Sequence, residues 1–137
     1  MPRTKELNVQ LEDRPGTLGK ICQALADRGV NILAFQAITA GGKGVVRLVV
    51  DNPAAAKTII EAQGMKCNEA EIAQVSLPNR PGEVARAASQ LSDANINIEY
   101  GYTGVDKTGN ATFFFGVTDV GRAVEILDRA AAGAARG

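Results

Sequence analysis

The chain has 137 residues, 45% of them hydrophobic, and its 15 basic side chains balance its 15 acidic ones. This length suits one ordinary domain or two small ones, the hydrophobic fraction indicates a folded protein, and the balanced charge gives no global field that would attract nucleic acid or an anionic membrane. The chain contains no histidine, which excludes His-based acid–base catalysis, His-activated nucleophiles and the commonest metal ligand.

The first predicted elements are a strand, a turn and a helix. Leu7–Leu11 alternates apolar and polar residues, as a half-buried strand does. Asp13–Gly16 is typical of a turn, because proline fixes φ and glycine relaxes it. An apolar stripe at helical spacing then predicts a helix that ends at Gly29. Its members are Leu18, Ile21, Cys22, Leu25 and Ala26.

A hairpin, a second helix and a last strand complete this half. Strands at 31–39 and 45–50 flank a glycine-rich stretch at 41–44, which indicates a hairpin turn because it lacks the spacing of a phosphate-binding loop. Asn52 is a well-placed N-cap with Pro53 at the first helical position, and Met65–Glu71 can supply a final strand. The order strand, helix, strand, strand, helix, strand is the split βαβ pattern of ferredoxin-like folds.

The second half of the sequence repeats the first. Val9–Ile32 aligns with Val75–Ile98 without a gap at an offset of 66, and nine of the 24 pairs are identical. The copy predicts a helix that ends near Asn95, a hairpin turn at 106–109 and a helix capped by Asp119. The chain then ends in alanine and glycine without β character, so we expect the last helix to extend and the final strand to be missing.

We therefore predict an α+β protein made of two ferredoxin-like βαββαβ units in tandem, residues 1–72 and 73–137. Each unit would have an antiparallel sheet with helices on one face, and the other face would need a partner. The strand edge exposed by the missing final strand would have to be covered by this chain or by another.

The combination of a strand, Asp-Arg-Pro-Gly-Thr-Leu, an amphipathic helix and Val-Asn-Ile resembles the ACT domain, a ferredoxin-like regulatory module found in enzymes of amino-acid metabolism. The resemblance covers residues 5–72 and 73–130 as a tandem pair of ACT-like units. It implies binding of a small molecule, usually an amino acid, at interfaces between ACT units. The Pro-Gly loop and the start of the second strand would line that site.

The resemblance assigns the same loop and strand positions in both units. In the first unit the ligand-binding residues would be Asp13, Arg14, Pro15, Gly16, Thr17, Leu18, Asn31 and Ile32. In the second unit they would be Asn79, Gly82, Glu83, Val84, Asn97 and Ile98. The second unit departs from the pattern, since it has Asn79 for Asp13 and Glu83 for Thr17. An acid at Glu83 stands where a ligand carboxylate would approach the helix start, so we expect the first loop to be the better carboxylate site.

The chemistry of an amino acid suits this loop only in part. Backbone N–H groups after Gly16 can receive a carboxylate, Asp13 or Asn31 can take the ammonium group, and Leu18 and Ile32 can contact an apolar side chain. A helix terminus contributes only about 0.3–1 kcal/mol, whereas millimolar affinity requires about 4 kcal/mol. A second unit or chain must therefore close over the ligand.

Simpler interpretations of the same residues stay open. Arg-Pro-Gly forms a competent turn whether or not it binds a ligand, and Asn31 and Asn97 can serve only to satisfy backbone groups where a helix passes into a strand. Arg14 can be solvated or paired with a neighbouring acid. Two cysteines are too few for a disulfide framework, and Cys22 is expected to be a buried, inert thiol.

The leading hypothesis is a non-catalytic regulatory or sensor protein that binds an amino acid, uses no cofactor or metal, forms a homodimer or higher homo-oligomer, and acts on a metabolic enzyme. The alternative is a tandem ACT interaction module that docks to an enzyme or regulator without binding a metabolite. A small enzyme is a third class, disfavoured because the carboxylates form no motif with a base or metal-ligand spacing. We expect no nucleic-acid or membrane partner and a cytoplasmic location, because no apolar run approaches the roughly 20 residues of a membrane span and the start lacks a signal-peptide core.

Overall fold

A computed structural model describes residues 3–12, 14–104, 108 and 110–136 of the chain. The strands are β1 (Arg3–Glu12), β2 (Ile32–Ala40), β3 (Lys43–Val50), β4 (Cys67–Leu77), β5 (Ile98–Gly104) and β6 (Ala111–Val117). The helices are α1 (Thr17–Asp27), α2 (Pro53–Ala62), α3 (Glu83–Asp93) and α4 (Val120–Arg136). Within the described residues no helix is both long and apolar enough to cross a membrane.

The chain divides into two compact units. The first unit is Lys5–Ala70, and the second unit consists of the described residues from Glu71 onward together with Arg3 and Thr4. The division falls inside β4, so this 11-residue strand both ends the first unit and begins the second. The predicted final strand at Met65–Glu71 and the predicted strand around Val75 are therefore one continuous element.

The sheet of the first unit has the predicted ferredoxin-like order. β1 pairs antiparallel with β3 (Leu7 opposite Leu48), and β3 pairs antiparallel with β2 (Phe35 opposite Leu48). The start of β4 runs along the other side of β1, where the Gln10 N–H donates to the Lys66 carbonyl at 3.3 Å. The order β4–β1–β3–β2 confirms a split βαβ unit.

The core of the first unit lies between this sheet and its two helices. Leu7 and Val9 of β1, Leu48 of β3, Ile21 of α1 and Ile60 of α2 are fully or almost fully buried, which confirms the period-two and helical patterns. The buried stripe of α1 is narrower than predicted. Ile21 and Leu25 are buried, Leu18 and Cys22 are half-buried, and Ala26 is exposed, because only one residue per turn faces the sheet.

The helix ends confirm the capping chemistry of the sequence. Gly29 (φ 72°) and Asn95 (φ 60°) follow α1 and α3 in the left-handed region, and each lets the next N–H reach back to a carbonyl of the last turn. Asn52 caps α2 by accepting from the Ala55 N–H at 3.2 Å, with Pro53 in the first turn. Asp119 caps α4 by accepting from the Arg122 N–H at 3.1 Å.

The hairpin of the first unit also forms where it was predicted. Gly41 and Gly42 both adopt positive φ, 60° and 78°, and join β2 to β3 in a two-residue turn. The corresponding hairpin at 106–109 falls mostly outside the described residues, which include only Thr108 of that turn.

The second unit repeats the same pairing pattern. β4 pairs antiparallel with β6 (Val75 opposite Phe113), and β6 pairs antiparallel with β5 (Tyr102 opposite Phe114). No strand follows α4 in the part of the chain that the structure describes, as the sequence predicted. The first residues of β1 lie beside β4 instead, where the Arg3 guanidinium is 3.1 Å from the Glu71 carboxylate.

The last helix differs most between the two units. α2 has 10 residues, whereas α4 has 17 and continues through the alanine-rich end of the chain. Ala130 and Ala134 in this extension are buried, so the extra turns pack onto the second unit rather than project into solvent. The extension of the helix confirms the prediction, and its burial shows that it contributes to the core.

Candidate functional site

The Pro-Gly bend of the first unit, Arg14–Thr17, connects β1 to α1. Gly16 occupies the N-cap position with φ 92° and ψ −13°, a conformation that favours glycine. The Thr17 hydroxyl donates to the Arg14 carbonyl at 3.0 Å and the Lys20 N–H donates to the Gly16 carbonyl at 3.0 Å, which fixes the bend against the helix. The Thr17 N–H also donates to the Arg14 carbonyl at 3.5 Å, and no described side chain caps α1, so the N–H groups of Leu18 and Gly19 stay available for a ligand.

A cleft of about 590 Å³ opens beside this bend, entirely within the first unit. Its walls are the bend and the first turn of α1, the end of β1 at 10–12, and the turn between α2 and β4 at 63–66. Concave sites that hold small molecules typically have volumes of about 300–1,000 Å³. The cleft is therefore large enough for an amino acid, and its walls come from three separate segments of one unit.

Basic side chains dominate the charge of this cleft. Arg14, Lys20 and Lys66 line it, and Glu12 is the carboxylate on its described wall. Arg14 Nε lies 3.1 Å from Glu12 Oε2, but both side chains are largely exposed, so the pair is weak and can rearrange. The ammonium groups of Lys20 and Lys66 have no ion-pair or hydrogen-bond partner among the described residues. Within the described part of the cleft, these two positive groups have no counter-ion.

The bend of the second unit, Arg80–Glu83, has the same backbone but is filled. Gly82 repeats the conformation of Gly16, with φ 91° and ψ −15°. The Glu83 side chain is only 10% exposed, and its carboxylate lies 3.6 Å from Arg80 Nε and 3.5 Å from Arg86 Nη2. The Arg86 guanidinium also donates to the Ala130 carbonyl at 3.0 Å, in the extension of α4. Side chains of this unit therefore occupy the space that is open in the first.

Two apolar residues predicted for the site lie elsewhere. Leu18 does not line the large cleft; it packs partly against the first core and borders a smaller hollow of about 150 Å³ with Ile38 and Val45. Val84, the ligand-binding residue predicted at the matching position of the second unit, is 41% exposed. Glu83 points inward instead, because it lies one turn before the buried Ala87.

The structure separates the bend from Asn31 and Ile32 within one unit. Glu12, the last residue of β1, is opposite Lys43, which also pairs with Ala40 at the end of β2, whereas Ile32 begins β2 opposite Val50. Eight residues separate Ile32 from Ala40, roughly 26 Å at about 3.3 Å per residue. A ligand of the size of an amino acid at this bend therefore cannot also contact Asn31 or Ile32 of the same unit.

Asn31 and Asn97 have matching backbone roles at the strand starts. The Asn31 N–H donates to Asp51 Oδ1 at 3.0 Å, and its carbonyl accepts from the Asp51 N–H at 3.1 Å. The Asn97 N–H donates to the Thr118 hydroxyl at 3.2 Å, and its carbonyl accepts from the Thr118 N–H at 3.2 Å. These bonds use backbone groups, so the exposed Asn31 amide stays free for a ligand.

The remaining predicted residues add little to the described site. Asp13 lies outside the described residues, and its counterpart Asn79 is exposed before the second bend. Ile32 and Ile98 begin β2 and β5 as half-buried residues that pack against the two cores. Sequence reasoning missed Lys20 and Lys66. Lys20 was visible one turn after Gly16 on α1, but nothing in the sequence places Lys66 near the bend, because its position depends on the turn after α2.

The described residues offer little for metal or thiol chemistry. No group of three His, Cys, Asp or Glu side chains that could hold a metal ion occurs among them. Burial raises the pKa of the Cys22 thiol, and burial together with the nearby Glu61 carboxylate raises the pKa of the Cys67 thiol. Both thiols therefore stay protonated at neutral pH, which makes them poor nucleophiles, as predicted for Cys22.

The comparisons with known structures agree on the fold. A crystal structure of a protein from Bacteroides thetaiotaomicron matches with a TM-score of 0.84 and 24% identity over 93% of this chain and 88% of that one. The ligand-free regulatory subunit of aspartate kinase from Thermus thermophilus matches with a TM-score of 0.68 and 18% identity over 97% and 93%. The corresponding subunit from Thermus flavus gives a TM-score of 0.60 and 17% identity over 95% and 93%.

The family assignment comes from a sequence model. No curated protein sequence matches the chain significantly. The family model described as an ACT domain pair matches residues 3–131, almost the whole chain. With its repeated split βαβ units and its two Pro-Gly bends, the chain belongs to the ACT family and is an ACT domain pair.

Proposed function

We propose that this chain is a non-catalytic regulatory protein that binds an amino acid at the Pro-Gly bend of its first unit. The observation that carries the proposal is the open, basic cleft at that bend, whose counterpart in the second unit is filled by Glu83, Arg86 and the end of α4. A duplicated backbone that is closed in one copy and open in the other supports a ligand-binding role for the open copy.

The cleft supplies contacts that the helix terminus alone lacks. The first turn of α1 contributes about 0.3–1 kcal/mol toward a carboxylate, and each exposed ion pair with Lys20 or Arg14 adds about 0.2–1 kcal/mol. These terms still fall short of the roughly 4 kcal/mol that millimolar affinity requires. We therefore propose that a further ACT unit, supplied by a second copy of the chain, closes over the ligand with its strand start.

The separation of bend and strand start supports this dimeric site. Asn31 and Ile32 lie at the opposite end of the unit from Arg14–Thr17, so a ligand that contacts both sets must lie between two units. Ligand binding would then be coupled to association. Light scattering with and without the bound amino acid should show a shift toward the larger species, and a mass that stays constant at every protein concentration would refute the coupling.

The main test is a titration of the chain with each of the common amino acids, in which calorimetry and thermal unfolding measure binding. A ligand present at 100 times Kd should stabilise the protein by about 2.7 kcal/mol. If no amino acid binds, the proposal is wrong. The docking alternative would then be tested by pull-down of a metabolic enzyme in the presence and absence of amino acids.

Thiol labelling of the cysteines can identify the unit that binds the ligand. Both cysteines, Cys22 and the buried Cys67, belong to the first unit, so thiol labelling reports the opening of that unit alone. In a Cys22→Ala background, a ligand at the first bend should slow the labelling of Cys67. A ligand that stabilises the protein without slowing this reaction would bind elsewhere.

A further inference from the structure

The second unit contains its own carboxylate at the position where the first unit would bind one. Glu83 lies between Arg80 and Arg86, 3.6 Å and 3.5 Å from their guanidinium groups. At the repeat offset of 66, the counterparts of these three residues are Thr17, Arg14 and Lys20. The first unit therefore keeps both cations of the set and lacks the acid.

Because the first unit has no acid at the position of Glu83, both open space and positive charge remain beside its bend. Thr17, the counterpart of Glu83, directs its short hydroxyl back to the Arg14 carbonyl and lines the open cleft. Arg14 has only an exposed partner, Glu12, and the Lys20 ammonium has no partner among the described side chains. A ligand carboxylate can therefore take the position that Glu83 holds in the second bend.

Lys66 adds a third cation to the cleft, and this cation has no counterpart in the second unit. It comes from the turn between α2 and β4, which lines the cleft together with the bend and the end of β1. In the second unit the extension of α4 follows the corresponding helix instead, with alanine and glycine at 130–135. The first cleft thus offers Arg14 and Lys20 to one anionic group and Lys66 to a second, and Glu12 lines the same space as an acceptor for an ammonium group.

We propose that the ligand of the first unit is a dicarboxylic amino acid of the aspartate or glutamate type, an inference that rests on the proposed function. Its α-carboxylate binds at the bend with Lys20 and Arg14, its side-chain carboxylate pairs with Lys66, and its ammonium group pairs with Glu12. A neutral amino acid leaves the Lys66 ammonium without a partner, and a basic one is repelled by it.

The experiment compares each acid with its amide, which has nearly the same shape but no charge. L-aspartate, L-asparagine, L-glutamate, L-glutamine and glutarate are titrated by calorimetry into the full chain, at low and at high salt. We expect one of the acids to bind about fivefold more tightly than its amide, which is the upper end for a solvent-exposed ion pair. This preference should shrink at high salt, because exposed ion pairs are screened.

Two variants separate the contributions of the cations. Lys66→Met should remove the preference for the acid over the amide and leave amide binding unchanged, whereas Lys20→Met should weaken both ligands alike. Lys57→Met is the matched control, since it removes the same charge from α2, outside the walls of the cleft. Unfolding curves of all variants confirm that they are folded.

The possible results distinguish the inference from the proposed function. If an amide or another neutral amino acid binds as tightly as the acids, or if Lys66→Met keeps the preference, the dicarboxylate inference is wrong and the amino-acid site stands. If no amino acid binds, both are wrong. If glutarate binds as tightly as the preferred acid, the ammonium contact with Glu12 is wrong.

Discussion

The two Pro-Gly bends have the same backbone conformation, but a cleft lies open beside the first, whereas side chains fill the space beside the second. Gly16 and Gly82 differ by 1° in φ and 2° in ψ, and each leads into an 11-residue helix. At the first bend a cleft of about 590 Å³ faces solvent, and at the second a buried glutamate pairs with two arginines. The two bends show that the same backbone conformation can border either an open cleft or a filled one. The side chains at the bend determine which of the two forms.

Two differences in sequence account for the filled second bend. Thr17 is replaced by Glu83, which brings a carboxylate to the start of the helix. The chain after the second helix pair extends as α4 instead of turning into a strand, so its backbone accepts a hydrogen bond from Arg86. Arg86 connects the two changes, since it lies 3.5 Å from the Glu83 carboxylate and donates to the Ala130 carbonyl.

The largest change in unfolding free energy is expected at a pair of sheet positions where one unit has a large residue opposite a small one and the other unit has the reverse. In the second unit the Tyr100 ring covers Gly116 so closely that a Cβ at residue 116 would overlap the ring. In the first unit the counterparts are Ala34 and Val49, paired in the same register. Gly116→Val should therefore destabilise the protein by about 3 kcal/mol, the upper range for overpacking, in urea unfolding followed by tyrosine fluorescence.

The control for this change recreates the pair of the first unit. Tyr100→Ala combined with Gly116→Val restores an alanine opposite a valine, and it should recover part of the stability that Gly116→Val loses. Tyr102 remains as the fluorescent probe in the second unit. If the double variant is no more stable than Gly116→Val, the close contact with the ring is not the cause of the loss.

The next effect concerns the acid that fills the second bend. Glu83→Ala should cost about 2 kcal/mol of unfolding free energy, because it leaves the half-buried Arg86 without its carboxylate partner. The matched change in the first unit, Thr17→Ala, removes one hydrogen bond near solvent and should cost about 1 kcal/mol or less. Urea unfolding of the two variants measures the difference, and equal losses would contradict the structural role assigned to Glu83.

A smaller effect is expected when the first bend is made to resemble the second. Thr17→Glu places a carboxylate beside Arg14 and Lys20, where it should compete with the ligand and weaken amino-acid binding about tenfold, or 1.4 kcal/mol. The protein should stay folded, because Thr17 is not part of the fully buried core. Calorimetry measures the affinity, and Thr17→Gln is the control that adds the same bulk without charge.

The smallest effect on stability is expected at the strand start. Asn31→Ala keeps the backbone N–H and carbonyl that bond to Asp51, so unfolding free energy should change by less than about 0.5 kcal/mol. Ligand affinity should nevertheless fall, because the exposed amide is lost from the proposed closing unit. Unchanged affinity in calorimetry would show that Asn31 has only its backbone role.

The fold could be predicted from the sequence because its signals are local. The repeat, the strand alternation, Gly29 and Asn95 at the helix ends and the caps Asn52 and Asp119 each act within a few residues, and each is confirmed. The inward orientation of Glu83 was not predicted; the sequence indicated only that its acid stands where a ligand carboxylate would approach the helix start. Its spacing of four residues from Ala87 was the available signal.

The open cleft could be predicted only in part because it depends on distant segments. The contrast between Thr17 and Glu83 pointed to the first bend as the better carboxylate site, and the structure finds the open cleft there. The contribution of Lys66 required knowing where the turn after α2 lies. The separation of Asn31 from the bend follows from strand register, because the two ends of an antiparallel strand pair lie at opposite ends of the sheet.

The central claim is that the first bend binds an amino acid and the second does not. The most direct measurement is the calorimetric stoichiometry of the best-binding amino acid, for the unmodified chain and for Thr17→Glu. We predict one ligand per chain, with binding weakened about tenfold by Thr17→Glu. Two ligands per chain, or one that binds with the same affinity after Thr17→Glu, would contradict the claim.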